Sequence, residues 1–179
     1  MMESCHKLDD LAVLLREAVP GDAGTLLDYI EQVSGETENL TFGPGEFGLG
    51  VREEAEYLRA CHAQENSVYL LALHQEQIIG SINFAAGRRP RVRHSGELGM
   101  SVRQPYWGLG VGSLLLDALT AWARQTGVIT KLNLRVRTDN ERAIRLYQRK
   151  GFVREGTLRR EMLVGGRYCD LYWMGLVLS

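Results

Sequence analysis

Glu97-Leu98-Gly99-Met100-Ser101-Val102, followed by Arg103-Gln104-Pro105-Tyr106-Trp107-Gly108-Leu109-Gly110-Val111-Gly112-Ser113, reads as a strand, a glycine-rich turn and a helix start. The helix continues to about Thr126, with Leu115, Leu119 and Trp122 on one face. Glycines at alternate positions let backbone approach a ligand closely and reach positive φ. The free amides of a helix start then favour an anion, most naturally a phosphate. A P-loop needs Gly-Lys-Ser/Thr, and no lysine lies in this stretch. A Rossmann fingerprint needs a third glycine where Ser113 stands and an acid about 20 residues on, where Lys131 and Leu132 are found. Two readings remain: a turn that cradles phosphate, and a turn whose glycines only permit close packing.

Upstream of this unit, residues 13–18 read as a short strand that Pro20-Gly21-Asp22 breaks. Asp22 is a candidate N-cap for a helix to about Ser34, with Leu26, Leu27 and Ile30 at helical spacing. Five glycines and a proline make residues 35–50 a loop, and residues 53–63 a polar helix with Tyr57 and Leu58 inward. Two apolar runs, 67–73 and 78–86, flank His74-Gln75-Glu76-Gln77, a length suited to a hairpin. Gly87 to Arg93 is a basic loop. Downstream, residues 132–137 alternate like a half-buried strand. Thr138-Asp139-Asn140-Glu141 has capping-box spacing and opens a helix that stops at Gly151, with Thr138 the candidate cap. Residues 152–162 and 168–178 read as two strands joined across Gly165-Gly166. The order is β-α-α-β-β-β-α-β-α-β-β, a mixed α/β domain with one sheet.

The 179 residues suggest one domain, residues 13–179, behind a loose lead-in of residues 1–12. With 21 basic and 22 acidic residues the net charge is −1, which argues against a global nucleic-acid surface. No apolar run approaches the roughly 18 residues of a membrane span, and MMESCHKLDD lacks the order of a secretory signal. Cys5, Cys61 and Cys169 are odd in number and widely spaced, so a disulfide framework is not expected and a cytoplasmic setting is. The four histidines show no metal spacing, and no metal is expected.

Trp107-Gly108-Leu109-Gly110-Val111-Gly112 after its strand resembles the acetyl-CoA pyrophosphate loop of the GNAT superfamily of N-acetyltransferases. Trp107 departs from the usual Arg or Gln at the first position, as in the branch resembling ribosomal-protein and polyamine acetyltransferases. A second signature lies on the next strand–helix unit: Asn140, Ala143, Leu146-Tyr147 and Gly151-Phe152 match Asn-x-x-Ala-x-x-Leu-Tyr-x-x-x-Gly-Phe at full spacing. The resemblance spans about Val13 to Leu178. The ending, Gly165-Gly166-Arg167-Tyr168 with Asp170 and Met174, is similar to N-acetyltransferases of free amino acids or related small amines.

What the resemblance implies is a twisted, mostly antiparallel sheet of about seven strands with four helices and a splayed V between strands 4 and 5. It implies acetyl-CoA as co-substrate, with Met100 and Val102 binding the pantetheine through backbone amides. Trp107, Gly108, Gly110, Val111, Gly112 and Ser113 would hold the pyrophosphate. Asn140 would touch the pantetheine or a bound water, or serve only as a cap. Tyr147 would protonate the leaving thiolate, which a phenol can do; otherwise it is a core tyrosine. Glu97 would relay a proton from the substrate ammonium, because only the neutral amine attacks; otherwise it is a solvated strand acid. Arg142, Arg145 and Arg149 are a solvated stripe or, with Arg103 across the cleft, an attraction for the 3′-phosphate. Glu36, Glu38 and Asn39 border the acceptor site, as amine-holding acids or a plain polar loop. The expected activity is acetyl transfer to a primary amine of a small molecule, with no nucleic acid or membrane partner and a homodimer as a common family state. Two alternatives stand: acylation of a protein N-terminus, and a non-catalytic acyl-CoA-binding regulator. Glu97 and Tyr147 together favour an enzyme, since a pure binder needs neither.

Overall fold

The computed structural model describes residues 2–178. The chain begins with β1 (Glu3–Leu8) and β2 (Leu11–Glu17), then α1 (Ala23–Glu36) and α2 (Val51–His62). Next come β3 (Ser67–His74), β4 (Gln77–Ala86), β5 (Ser95–Val102) and α3 (Val111–Thr126). β6 (Lys131–Arg137), α4 (Glu141–Arg149), β7 (Val153–Val164) and β8 (Arg167–Val177) complete it. The strands make one sheet in the order β1-β2-β3-β4-β5-β6-β8-β7, antiparallel except for the β5–β6 pair.

Eight strands replace the expected seven, because the segment read as a loose lead-in supplies β1. Its residues pair from Glu3↔Arg16 to Leu8↔Leu11 across a turn in which Asp9 takes φ 52°. Glu3, Ser4, His6 and Lys7 give no hydrophobic alternation, so this edge strand is held by backbone pairing and was invisible to a periodicity argument. Asp22 stands at the α1 N-cap without capping it; its carboxylate takes two 2.7 Å bonds from Arg16 and one from the Val19 amide. Those donors hold the Asp22 pKa below its ordinary value against the opposing effect of burial.

Alternation in the central strands builds a core on each face of the sheet. Val68, Leu70 and Ala72 of β3 point to the side where Val111, Leu115, Leu116, Leu119 and Ala123 of α3 pack. Leu71 and Leu73 point to the other side, against Leu26, Ile30 and Val33 of α1 and Leu58 of α2. Among the described residues no helix is long and apolar enough to cross a membrane.

The β5–β6 pair positions the site. These strands are joined only at Ser95↔Lys131, Gly96↔Leu132 and Glu97↔Asn133. β5 then stays with β4 as far as Val102↔Gly80, and β6 stays with β8 as far as Arg137↔Leu171. Beyond Glu97 and Asn133 the two edges part, which is the expected splay, here between the fifth and sixth strands.

Candidate active site

A cavity of about 700 Å³ is lined by both parted edges and from both faces of the sheet. On the α3–α4 side its wall is the glycine turn. Gly108 and Gly110 take φ 83° and 90°, a region that side chains resist. Leu114 is the first α3 amide bonded to Gly110 O, so the amides of Val111, Gly112 and Ser113 have no helical partner and are free for an anion. Gly112 adds a second reason for glycine. A Cβ there would stand 3.2 Å from Leu146 Cδ2 and 3.5 Å from Met100 Cε, so close packing and ligand approach divide between different glycines of one turn.

Along β5 the backbone alternates in direction. The Gly99 amide donates to Asn83 Oδ1 (3.1 Å) and the Arg103 amide to Ile79 O (2.9 Å), both on the β4 side. The intervening Met100 and Val102 amides therefore face the splay. Val102 O accepts the Trp107 indole N–H at 2.6 Å, and the Arg142 guanidinium lies 3.6 Å from the centre of a Trp107 ring. Trp107 thus clamps the end of β5 to α4. Arg142 thereby brings a positive charge from α4 to the position where the resembled loop usually carries Arg or Gln.

α4 supplies the rest of this wall. Asn140, and not Thr138, is its N-cap, accepting from the Ala143 amide at 3.2 Å. The expected cap, Thr138, gives way because Asn140 sits one residue before the helix, where an Asx oxygen reaches the first-turn amides. Its amide nitrogen remains, and the residue lines the cavity. Tyr147 is buried, its ring edge-on to Phe152 at 5.8 Å, and it lines the cavity too. Among the described residues its hydroxyl makes no hydrogen bond, and burial pushes its pKa up to about 12. It is therefore a protonated donor at neutral pH. Of the arginine stripe, Arg142 and Arg149 line the cavity, whereas Arg145 is paired with Glu141 at 2.8 Å.

The opposite, α1–α2 side of the cavity carries acids, and sequence reasoning assigned them incompletely. Glu97 is the last β5 residue paired with β6 and takes a 2.6 Å bond from Arg135 Nε; Arg135 also meets Glu161 at 3.5 Å. Arg103 does not reach across the cleft: its Nε donates to Glu36 Oε1 at 2.6 Å, and Gln32 accepts from it as well. Glu36 also accepts the Gln104 amide at 2.7 Å. It therefore ties the end of α1 to the end of β5 and is not free for an amine. Glu38 is exposed and gives its carbonyl to Arg137. Asn39 lines the cavity.

The acid that was missed is Glu54. It is 1% exposed, lines the cavity, and neither carboxylate oxygen has a hydrogen-bond partner. The polar look of its helix hid it. Positions 54, 58 and 61 share one helical face, and Leu58 and Cys61 on that face are buried. An acid on an inward face was the available signal.

Burial raises the Glu54 pKa from its ordinary 4.5. A raised carboxyl contributes stability below its unfolded pKa and loses it as pH rises through the folded one. Tyr57, Cys61 and Tyr69 beside it are also pushed up by burial and stay neutral there. The stability gained by Glu54→Gln should therefore be smallest near pH 4 and grow as pH rises. Thermal melts of both proteins across this range check it; a constant or shrinking difference would mean that Glu54 is not desolvated.

The acetyltransferase (GNAT) family profile matches residues 36–152. The chain belongs to this family. The L-amino acid N-acetyltransferase AaaT of Escherichia coli is 30% identical over 108 residues, 60% of this chain and 67% of that protein. A GNAT-family acetyltransferase structure from Streptococcus pneumoniae is similar at 36% identity and TM-score 0.90, covering 93% of this chain and 99% of that one. The structure of yncA from Salmonella typhimurium with its cofactor acetyl-CoA shares the fold at TM-score 0.81 and 20% identity, covering 93% and 94%. In this GNAT chain, the glycine turn, both parted strand edges, Asn140 and Tyr147 all border the cavity described above.

Proposed function

We propose that the protein transfers acetyl from acetyl-CoA to a primary amine of a small molecule by direct attack. One observation carries this reading: a single cavity joins an anion-ready helix start on one face of the sheet to an acid-bearing chamber on the other. The Gly108–Ser113 turn holds the pyrophosphate, with Arg142 and Arg149 adding positive charge. The Met100 and Val102 amides hold the pantetheine arm in the splay and polarise the thioester carbonyl. The neutral amine attacks the carbonyl carbon, the C–S bond breaks, and the sulfur takes the phenolic proton of Tyr147. The nitrogen gives up its own proton through water to Glu97, which lines the cavity at the point where the strands part. An acetyl-CoA-dependent thiol-release screen over amino acids, alkylamines, polyamines and N-terminal peptides tests the reading. Turnover of peptides alone would replace a small-molecule acceptor with a protein.

Arg135 holds Glu97 in place through its 2.6 Å bond. The rate should rise toward mildly alkaline pH as the neutral amine fraction grows. Glu97→Gln should lower turnover by about 10²-fold with acetyl-CoA affinity nearly unchanged. Steady-state kinetics beside calorimetric binding measures this split. An unchanged rate and profile would leave deprotonation to bulk water.

A further inference from the structure

Among the described residues, the buried side-chain atoms without a hydrogen-bond partner are both oxygens of Glu54 and Oδ1 of Asn133. Asn133 has a structural use, since its Nδ2 donates to Ser95 Oγ and Gly96 O where the strands part. Glu54 has none, yet it lines the cavity. Arg135, which lines this side of the cavity, is paired with Glu97 and Glu161, and Arg137 and Arg103 are paired with Asp139 and Glu36. A buried carboxylate left without donor or counter-ion is costly to keep. A cation brought by a ligand would complete it.

Around it the walls suit a cation. Tyr57 and Tyr69 stand edge to face at 6.3 Å, Phe42 and Phe47 at 5.0 Å, and all four line the cavity with Leu40. Carboxylate and aromatic rings together make a site for an ammonium group. Its position decides which nitrogen it holds. Tyr69, Asn83 and Gly99 are in register across β3, β4 and β5. At about 4.8 Å per strand, Tyr69 lies roughly two strand spacings from the parted β5 edge. Glu54 sits at the Tyr69 end, close enough that its charge bears on Tyr57 and Tyr69. A nitrogen paired with a buried carboxylate is also kept protonated, and a protonated nitrogen cannot attack.

We propose that Glu54 is the counter-ion for a second positively charged group of the acceptor, one that stays charged while a different nitrogen, at the splay, is acetylated. The acceptors are then diamines, or amines bearing a second cation, in preference to monoamines. This inference rests on the acetyl-transfer reading above and adds the acceptor class.

The test uses α,ω-diaminoalkanes of increasing length, each against the n-alkylamine of equal carbon count. Acetyl-CoA binding to the parent protein is measured first by calorimetry, and its absence would overturn the acetyl-transfer reading together with this one. With binding present, kcat/KM of the best diaminoalkane should exceed that of its monoamine by about 10–10²-fold, the range for a hydrogen bond to a charged group. In Glu54→Gln that ratio should collapse to within about threefold, mainly through KM. Equal use of diamines and monoamines by the parent, or no turnover of any diaminoalkane despite acetyl-CoA binding, overturns the proposal without touching the transfer reading. A preference that survives in Glu54→Gln overturns it also. So does a fall in kcat alone, which would make Glu54 a proton acceptor instead of an anchor. The parent comparison needs no variant, so the proposal stays testable even if Glu54→Gln does not fold.

Discussion

Turnover of Tyr147→Phe should fall by about 10²–10⁴-fold while its affinity for acetyl-CoA stays within about threefold. The phenol lines the cavity beside Leu146 and Ala143, on a helix whose first turn is fixed by the Asn140 cap. Its pKa of about 12 keeps the proton on oxygen throughout the neutral range, so the parent pH–rate profile should show no descending limb there from this group. In the proposed reaction a thiolate developing next to it would offer the acceptor that the hydroxyl otherwise lacks. Because the hydroxyl makes no hydrogen bond among the described residues, its loss should change stability by about 1 kcal/mol or less. The ring, edge-on to Phe152, is retained. Steady-state kinetics with melting curves and acetyl-CoA titration separate these effects. A rate within a few-fold of the parent, on a normal fold, would mean that water or another group protonates the sulfur.

Acetyl-CoA affinity should drop by about 10²-fold or more in Gly110→Asp. Gly110 precedes the three free amides of α3, and an aspartate there competes with phosphate for those donors and repels it. The added Cβ meets only Leu8 side-chain atoms at 3.6 and 3.7 Å, ordinary contact, so the packing can accept it. The φ of 90° strains side chains, Asp and Asn less than Ala, which makes Gly110→Asn the control that carries the same shape and similar strain without the charge. Calorimetric titration of both variants gives the comparison, and equal affinity in the two would remove the phosphate from this turn. Gly112→Asp is a poorer probe, because its Cβ would stand 3.2 Å from Leu146 Cδ2 and press on the α3–α4 contact itself.

The two strand–helix units that carry the chemistry were legible because each has a strong local signature. Alternate glycines at 108, 110 and 112 and the Asn140 to Phe152 spacing are properties of short segments, and α3, α4 and their preceding strands follow with boundaries shifted by a residue or two. β1 was not legible, since Glu3, Ser4, His6 and Lys7 lie on a half-exposed edge where backbone pairing does not demand an apolar pattern. Polar side chains were the hardest to assign. Glu36 and Arg103 have no local partner to announce: Arg103 finds Glu36 at a separation of 67 residues.

By itself the amino-acid sequence determined the mixed α/β element order and the glycine turn at the helix start, because periodicity and turn chemistry act over a few residues, and its family resemblance singled out Glu97 and Tyr147 as candidate acid–base groups. Only the tertiary structure decided what surrounds them. It parted β5 from β6 after Glu97, set Arg142 over Trp107, tied Arg103 to Glu36, and buried Glu54 without a partner. Burial and pairing are set by groups far apart in the chain, and a carboxylate reads the same in sequence whether solvent, an arginine or an apolar wall faces it.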